Sequence, residues 1–295
     1  MTSSTDATMK RATGLLIIEA VNSNPNGDPD RESDPRQRPD ERGEISPVSV
    51  KRKIRDLVED KEGPVWAHVS KSKMFDPKLS PEEFAILESR GRDRSKILQE
   101  VKNGIFQGKY WDGRLFGNTF LEEGLSNAIC TGVVQFGLGV SVAPIRIERL
   151  TTTNKSGVQE GKDRGMAPLA YRVVEHAIYT MPFFVNPSAA RKSGCTGRDV
   201  QVLLSVIPFV YSQTSSYVRS QVEIKHAWYV EHKSPLGSAS DFDLIAALTP
   251  KKADTESASA SLADYSMPAK LPEELQRRVE PLRDLMAEAY AAASA

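Results

Sequence analysis

The chain carries 295 residues, 39 % hydrophobic and 26 % charged, and its 39 basic and 39 acidic side chains cancel to a formal charge of zero. That length supports one large domain or two ordinary ones with a sizeable core. The longest apolar stretches, residues 14–21 and 200–210, are far too short for a membrane span, so the reading is of a soluble globular protein.

Residues 1–11 are polar and rich in Ser and Thr, without the apolar centre of a signal peptide. Two cysteines occur, Cys130 and Cys195, and neither has a Cys or His partner at metal-ligand spacing. Both are expected to be idle or buried thiols of a cytoplasmic protein. Zero net charge speaks mildly against a nucleic-acid partner, but distribution matters more than the sum. Positives cluster at Lys51, Arg52, Lys53 and Arg55, at Lys71 and Lys73, and at Arg90, Arg92 and Arg94, while Glu273, Glu274 and Glu280 gather near the other end. Acidic and basic patches side by side also suit a protein that stacks on copies of itself.

In chain order, residues 13–21 (TGLLIIEAV) predict a buried strand. A loop rich in Asn, Pro and Asp follows (NSNPNGDPDRESDP, 22–35). Ser46-Pro47 then supplies a helix N-cap with proline at the first helical position, opening a helix to about Val58. Val50, Ile54, Leu57 and Val58 form its apolar stripe, and Lys51, Arg52 and Arg55 fall together on a separate face. Residues 62–113 read as an insertion of short helices, one starting at Ser80-Pro81. A helix is predicted over 118–129, a strand or hairpin broken by Gly137 and Gly139 over 133–149, and an exposed excursion over 150–168. Residues 171–181 are strand-like. Val202, Leu203, Val206, Phe209 and Val210 favour a helix that Pro208 kinks or ends. Alternation over 221–231 predicts a half-buried strand, residues 251–263 a linker, and 271–295 one or two helices interrupted at Pro281. Strands and helices intermix, so the class is α/β or α+β.

Most familiar chemical motifs fail along this frame. Asn22, Asn24 and Asn26 alternate and Gly27 takes the sixth place, as in a calcium loop, but the twelfth position is Ser33 where a bidentate Glu is needed. The segments 104–109 (GIFQGK) and 157–162 (GVQEGK) are each a residue short of a phosphate loop and lack its Ser or Thr. His68, His176, His226 and His232 show no local metal spacing, and no pair of carboxylates is spaced for acid–base work. Binding survives. A loop stiffened by Pro25 and Pro29, with exposed amides beside the Lys51, Arg52 and Arg55 face, could position a sugar-phosphate backbone, or it could simply cap the first strand.

NPNGDPD (24–30) after a first strand, followed by VSVKRKIRD (48–56), resembles the crRNA-binding backbone subunit of type I CRISPR Cascade complexes, and the type I-C branch above others. DGRLFGN (112–118), TGVVQFGLGVS (131–141) and SSYVRS (215–220) follow in that family's order, so the resemblance runs from residue 14 to about 250. It implies an α+β fold: an RRM-like (ferredoxin-like) palm over 12–58, 111–149 and 169–250, a helical fingers insertion over 59–110, and an extended thumb hairpin over 150–168. A linker (251–270) and a helical tail (271–295) would complete the chain.

The resemblance further implies a non-catalytic subunit. Copies stack head to tail on one crRNA, each thumb kinks it, and the other bases are left to pair with target DNA. Other Cascade subunits are the remaining partners; no cofactor, metal or membrane is expected. Lys51, Arg52 and Arg55 become phosphate contacts, and Asn24 and Asn26 contact the backbone or shape the loop that does. Arg114 and Asn118 would line the same groove, with Ser215 and Arg219 as further RNA ligands and Gln135 either a ligand or structural. In the thumb, Lys155 and Arg164 are assigned to phosphate and Met166 to the wedge. Gly132 and Phe136 are packing residues. The first strand carries no aromatic, so binding is expected to avoid the sheet face. Asp28 and Asp30, the places for a cleaving acid, lie in a stretch shared with non-catalytic members. Two rivals remain, a metal-independent RNA endonuclease that processes guide RNA and a self-assembling structural protein.

Overall fold

Leu15, Leu16, Ile17 and Ile18 run without a polar break because their strand is covered on both sides. In the computed structural model, which describes residues 9–91, 93–118, 130–155 and 166–293, that strand is β1 (Ala12–Ser23). With β2 (Arg42–Ile45), β3 (Val134–Phe136), β4 (Gly139–Pro144), β5 (Ile147–Lys155), β6 (Met166–Val185), β7 (Val222–Glu231) and β8 (Arg283–Asp284) it forms an eight-stranded antiparallel sheet. The order is β8-β7-β1-β6-β4-β2, with β3 and β5 also pairing along the long β6. The result is a mixed α/β fold around a large antiparallel sheet.

Side chains of β1 alternate between two cores, as a pleated strand requires. Leu16, Ile18 and Ala20 join the core under α1 (Pro47–Glu59), α2 (Pro64–Ser70) and α7 (Gly197–Val206). Leu15 and Ile17 enter the opposite core with Leu244 and Leu248 of α8 (Asp241–Leu248) and with Tyr265, Leu271, Leu275 and Val279. The predicted stripe of α1 is buried, and Lys53 is buried with it. Truncating fully buried Ile54 to Ala would cost about 2–5 kcal/mol.

The insertion contains short helices as predicted: α3 (Arg94–Lys102), α4 (Phe106–Lys109) and a 3-10 turn at Pro81–Phe84, leading into α5 (Trp111–Phe116). The helix expected over 118–129 begins differently, since Gly117–Asn118 pairs with Cys130–Thr131; the rest of it lies outside the described residues. Gly132 lets α5 approach this segment, because a Cβ there would stand 2.1 Å from the Phe116 carbonyl carbon. Phe136, buried and stacked on Phe183, is likewise a packing residue.

One reading needs correction. The expected linker at 251–263 packs on the sheet: Ser259 is buried, and its hydroxyl lies 2.8 Å from both His176 Nδ1 and the Tyr265 hydroxyl. The tail holds the two helices expected on either side of Pro281, α9 (Glu273–Arg278) and α10 (Leu285–Ala293), and between them β8 extends the sheet beyond β7. Asp284 fixes that edge by accepting from the Ala227 amide at 3.1 Å and meeting His226 Nδ1 at 2.8 Å. Cys195 is buried, and burial with Asp199 nearby pushes its thiol pKa up, away from reactivity. No described helix is long and apolar enough to cross a membrane.

Candidate functional site

A cleft of about 640 Å³ opens where the 22–35 loop, the amino end of α1, the β5–β6 hairpin and the turn at Tyr217–Arg219 meet. Two stretches singled out in the sequence are stitched together here. The Asn24 amide donates to the Val218 carbonyl at 2.7 Å, and the Gln221 amide donates to the Ser23 hydroxyl at 3.0 Å.

Asn24 and Asn26 both line the cleft, but neither is an exposed amide as the sequence suggested; they are only 6 % and 8 % exposed. Asn24 Nδ2 donates to the Ser33 carbonyl at 2.7 Å, tying the loop across its width. Asn26 Oδ1 accepts from both the amide and the hydroxyl of Ser46, each at 3.1 Å. Ser46 in turn caps α1, accepting from the Ser49 amide at 3.3 Å. The two asparagines therefore shape the loop and aim a thirteen-residue helix, amino end first, at the cleft. The partial positive charge of a helix amino terminus favours an anion there.

The cations of the cleft come mainly from elsewhere. Arg149 and Arg172 face each other across the hairpin register, and Arg219 arrives from the turn. Arg172 is neutralised by an ion pair with Asp34. Arg149 is exposed and has no carboxylate partner among the described residues, and Arg219 Nε is buried without a hydrogen-bond partner. Asn24 Oδ1 is also buried and unpaired. Behind Arg219, Lys53 Nζ donates to the Thr214 hydroxyl at 3.0 Å, and burial followed by repulsion from Arg219 lowers its pKa to about 8. A polar recess with excess positive charge and orphaned polar atoms suits an anionic, hydrogen-bonding ligand.

The basic face of α1 is not part of this recess. Arg55 Nε donates to Asp112 at 2.7 Å, and that carboxylate is fully buried. Arg52 Nη1 donates to the Glu88 carbonyl and stands 3.8 Å from Asp56, while Lys51 lies over the Phe116 ring. The insertion and α5 border this face and supply acceptors to Arg52 and Arg55, so the three residues expected to contact phosphate face these segments and not the cleft. Arg114 needs the same correction: Asp199 holds it in a buried bidentate pair at 2.7 and 3.1 Å, and the carbonyls of Gln107 and Glu83 take further donors. Four of its five donors are thus engaged within the chain.

Gln135 is exposed on β3 and donates to the Gly132 carbonyl at 3.2 Å, away from the cleft. Ser215 is exposed just before the turn. Lys155 and Met166 are register partners at the described ends of β5 and β6; Arg164 lies outside the described residues. Among the described residues no group of three or more His, Cys, Asp or Glu comes together to hold a metal ion.

An antiparallel α/β scaffold carrying an anion-receptive cleft thus emerges from the described residues. Residues 10–270 match the family model of the CRISPR-associated protein Cas7, and the chain belongs to that family. Among solved structures, the chain is similar to one from a CRISPR RNA-guided surveillance complex, pre-nicking, at 14 % identity and a TM-score of 0.48, covering 75 % of this chain and 78 % of the other. A second, from a CRISPR RNA-guided surveillance complex, is 16 % identical with a TM-score of 0.43 over 82 % and 78 % of the two chains. A third, from the cryo-EM structure of the Type III-B Cmr-beta bound to cognate target RNA, is 11 % identical with a TM-score of 0.41 over 75 % and 61 %. No curated protein sequence matches the chain.

Proposed function

We propose that this protein is a non-catalytic, crRNA-binding backbone subunit of a type I CRISPR Cascade complex, closest to the type I-C branch. The observation that carries this reading is the convergence in one cleft of the 24–30 and 215–220 stretches with the amino end of α1, Arg149 and Arg219. The cleft offers cations and hydrogen-bond donors to phosphates, the contacts that position a nucleic acid without reading its sequence. Family membership and the ordered resemblance of the five stretches support the finer assignment.

On this reading the sheet and α1 form the RRM-like palm, the insertion forms the fingers, and the β5–β6 hairpin is the base of the thumb. Copies polymerise head to tail on one guide in the cytoplasm, each thumb kinks it, and the bases between kinks pair with target DNA alongside other Cascade subunits. The conformation of Asp28 favours a structural over a cleaving role, since its carboxylate accepts from the Asp30 amide at 3.2 Å within its own turn.

Ultraviolet absorbance of the purified protein before and after RNase treatment tests the reading. A nucleic-acid signal that RNase removes is expected, with the bound RNA recovered at full length. Protein free of nucleic acid, or polymers indifferent to nuclease, would overturn it. Shortening of repeat RNA without metal would favour the endonuclease instead.

A further inference from the structure

At the rim of the cleft two tyrosines meet. Tyr217 opens the turn whose next two residues, Val218 and Arg219, line the recess, and the Val218 carbonyl is fixed by the Asn24 amide. The residue is 66 % exposed and its ring meets Tyr171, with centroids 5.3 Å apart, planes at 65° and hydroxyls at 3.4 Å. Tyr171 itself lines the cleft, next to Arg172 on β6. An exposed tyrosine alone is ordinary. This one has an anchored backbone and an edge-on support, and it stands beside unpaired positive charge.

A flat aromatic ring next to arginines is the combination that single-stranded nucleic acid uses, with bases stacked on the ring and phosphates tracked by the cations. We infer that Tyr217, steadied by Tyr171, stacks on a nucleobase of the strand whose phosphates lie against Arg149 and Arg219. The inference rests on the RNA-binding reading and adds a base contact to it, one made at the cleft rim and not on the face of the central strand.

The test is fluorescence anisotropy of the full chain with a labelled single-stranded oligoribonucleotide and with the same backbone carrying abasic residues. Wild type and Tyr217→Phe should prefer the base-bearing strand. Tyr217→Ala should bind it roughly five-fold or more weakly, the low end for removal of one base–aromatic stack, with abasic binding unchanged. An alanine variant that binds both strands as wild type does, or weakens on both in proportion, would overturn the base contact while leaving RNA binding standing. Wild type that binds neither strand would overturn both.

Discussion

The flank and the amino end of one helix carry opposite lessons. Along its flank, Lys51, Arg52 and Arg55 form the best-defined basic face in the sequence, yet Glu88, Asp56 and Asp112 engage the two arginines and Lys51 lies against the Phe116 ring. At its amino end there is little formal charge, only Ser46, Val48 and Ser49, yet this end opens into the cleft with Arg149 and Arg219. A helical wheel shows which side chains share a face, but it is silent on what covers that face. Buried cations matched to buried carboxylates hold structure together; cations and backbone dipoles left without partners are available to a ligand.

Substitutions can break this contrast. Arg114→Ala should have the largest effect, about 3–5 kcal/mol of lost stability in urea unfolding, because it takes the paired cation from buried Asp199, leaving it the Thr196 donors, and also removes the donors of the Gln107 and Glu83 carbonyls. A variant that unfolds like wild type but no longer binds RNA would return Arg114 to the interface. Arg55→Ala should destabilise less, about 1.5–3 kcal/mol, since Asp112 keeps the Leu87 and Glu88 amides as donors. Asn26→Ala should cost about 1–2 kcal/mol by removing the acceptor of Ser46, and it should also weaken RNA binding by loosening the helix end. Normal affinity in that variant would separate the loop from the site.

A pH dependence offers a finer test. Lys53 titrates near 8 in the folded chain against an ordinary 10.5, so the unfolded chain holds more protons between those values. Its charged form therefore opposes folding below pH 8, and its contribution to stability improves as pH rises from about 8 to 10.5. Melting temperatures of wild type and Lys53→Met, compared from pH 7 to 10, should show the variant's advantage shrinking with rising pH. A constant difference would contradict the shift.

Local signals were legible in the sequence. The unbroken apolar run of β1 and the Ser46-Pro47 cap with its stripe fixed two central elements, because period and capping act within a few residues. The Asn24 and Arg219 stretches could be named as candidates, and the structure joins them. Arg149 and Arg172 were missed because only the hairpin register brings them together and faces them to the loop. Tyr217 lies inside the stretch SSYVRS, where its aromatic ring is the one signal available, and nothing nearby in sequence places it at the cleft rim. The partners of Arg55 and Arg114 come from segments remote in the chain, and no pattern within α1 or α5 announces them.

Salt dependence of RNA affinity tests the cleft most directly. Removing one cation that neutralises a phosphate of a single strand lowers the slope of log affinity against log salt by about 0.7. The double variant Arg149→Ala with Arg219→Ala should therefore flatten that slope by about 1.4, while Lys51→Ala with Arg52→Ala leaves it unchanged. The reverse result, a slope carried by the α1 flank and indifferent to the cleft arginines, would contradict this account.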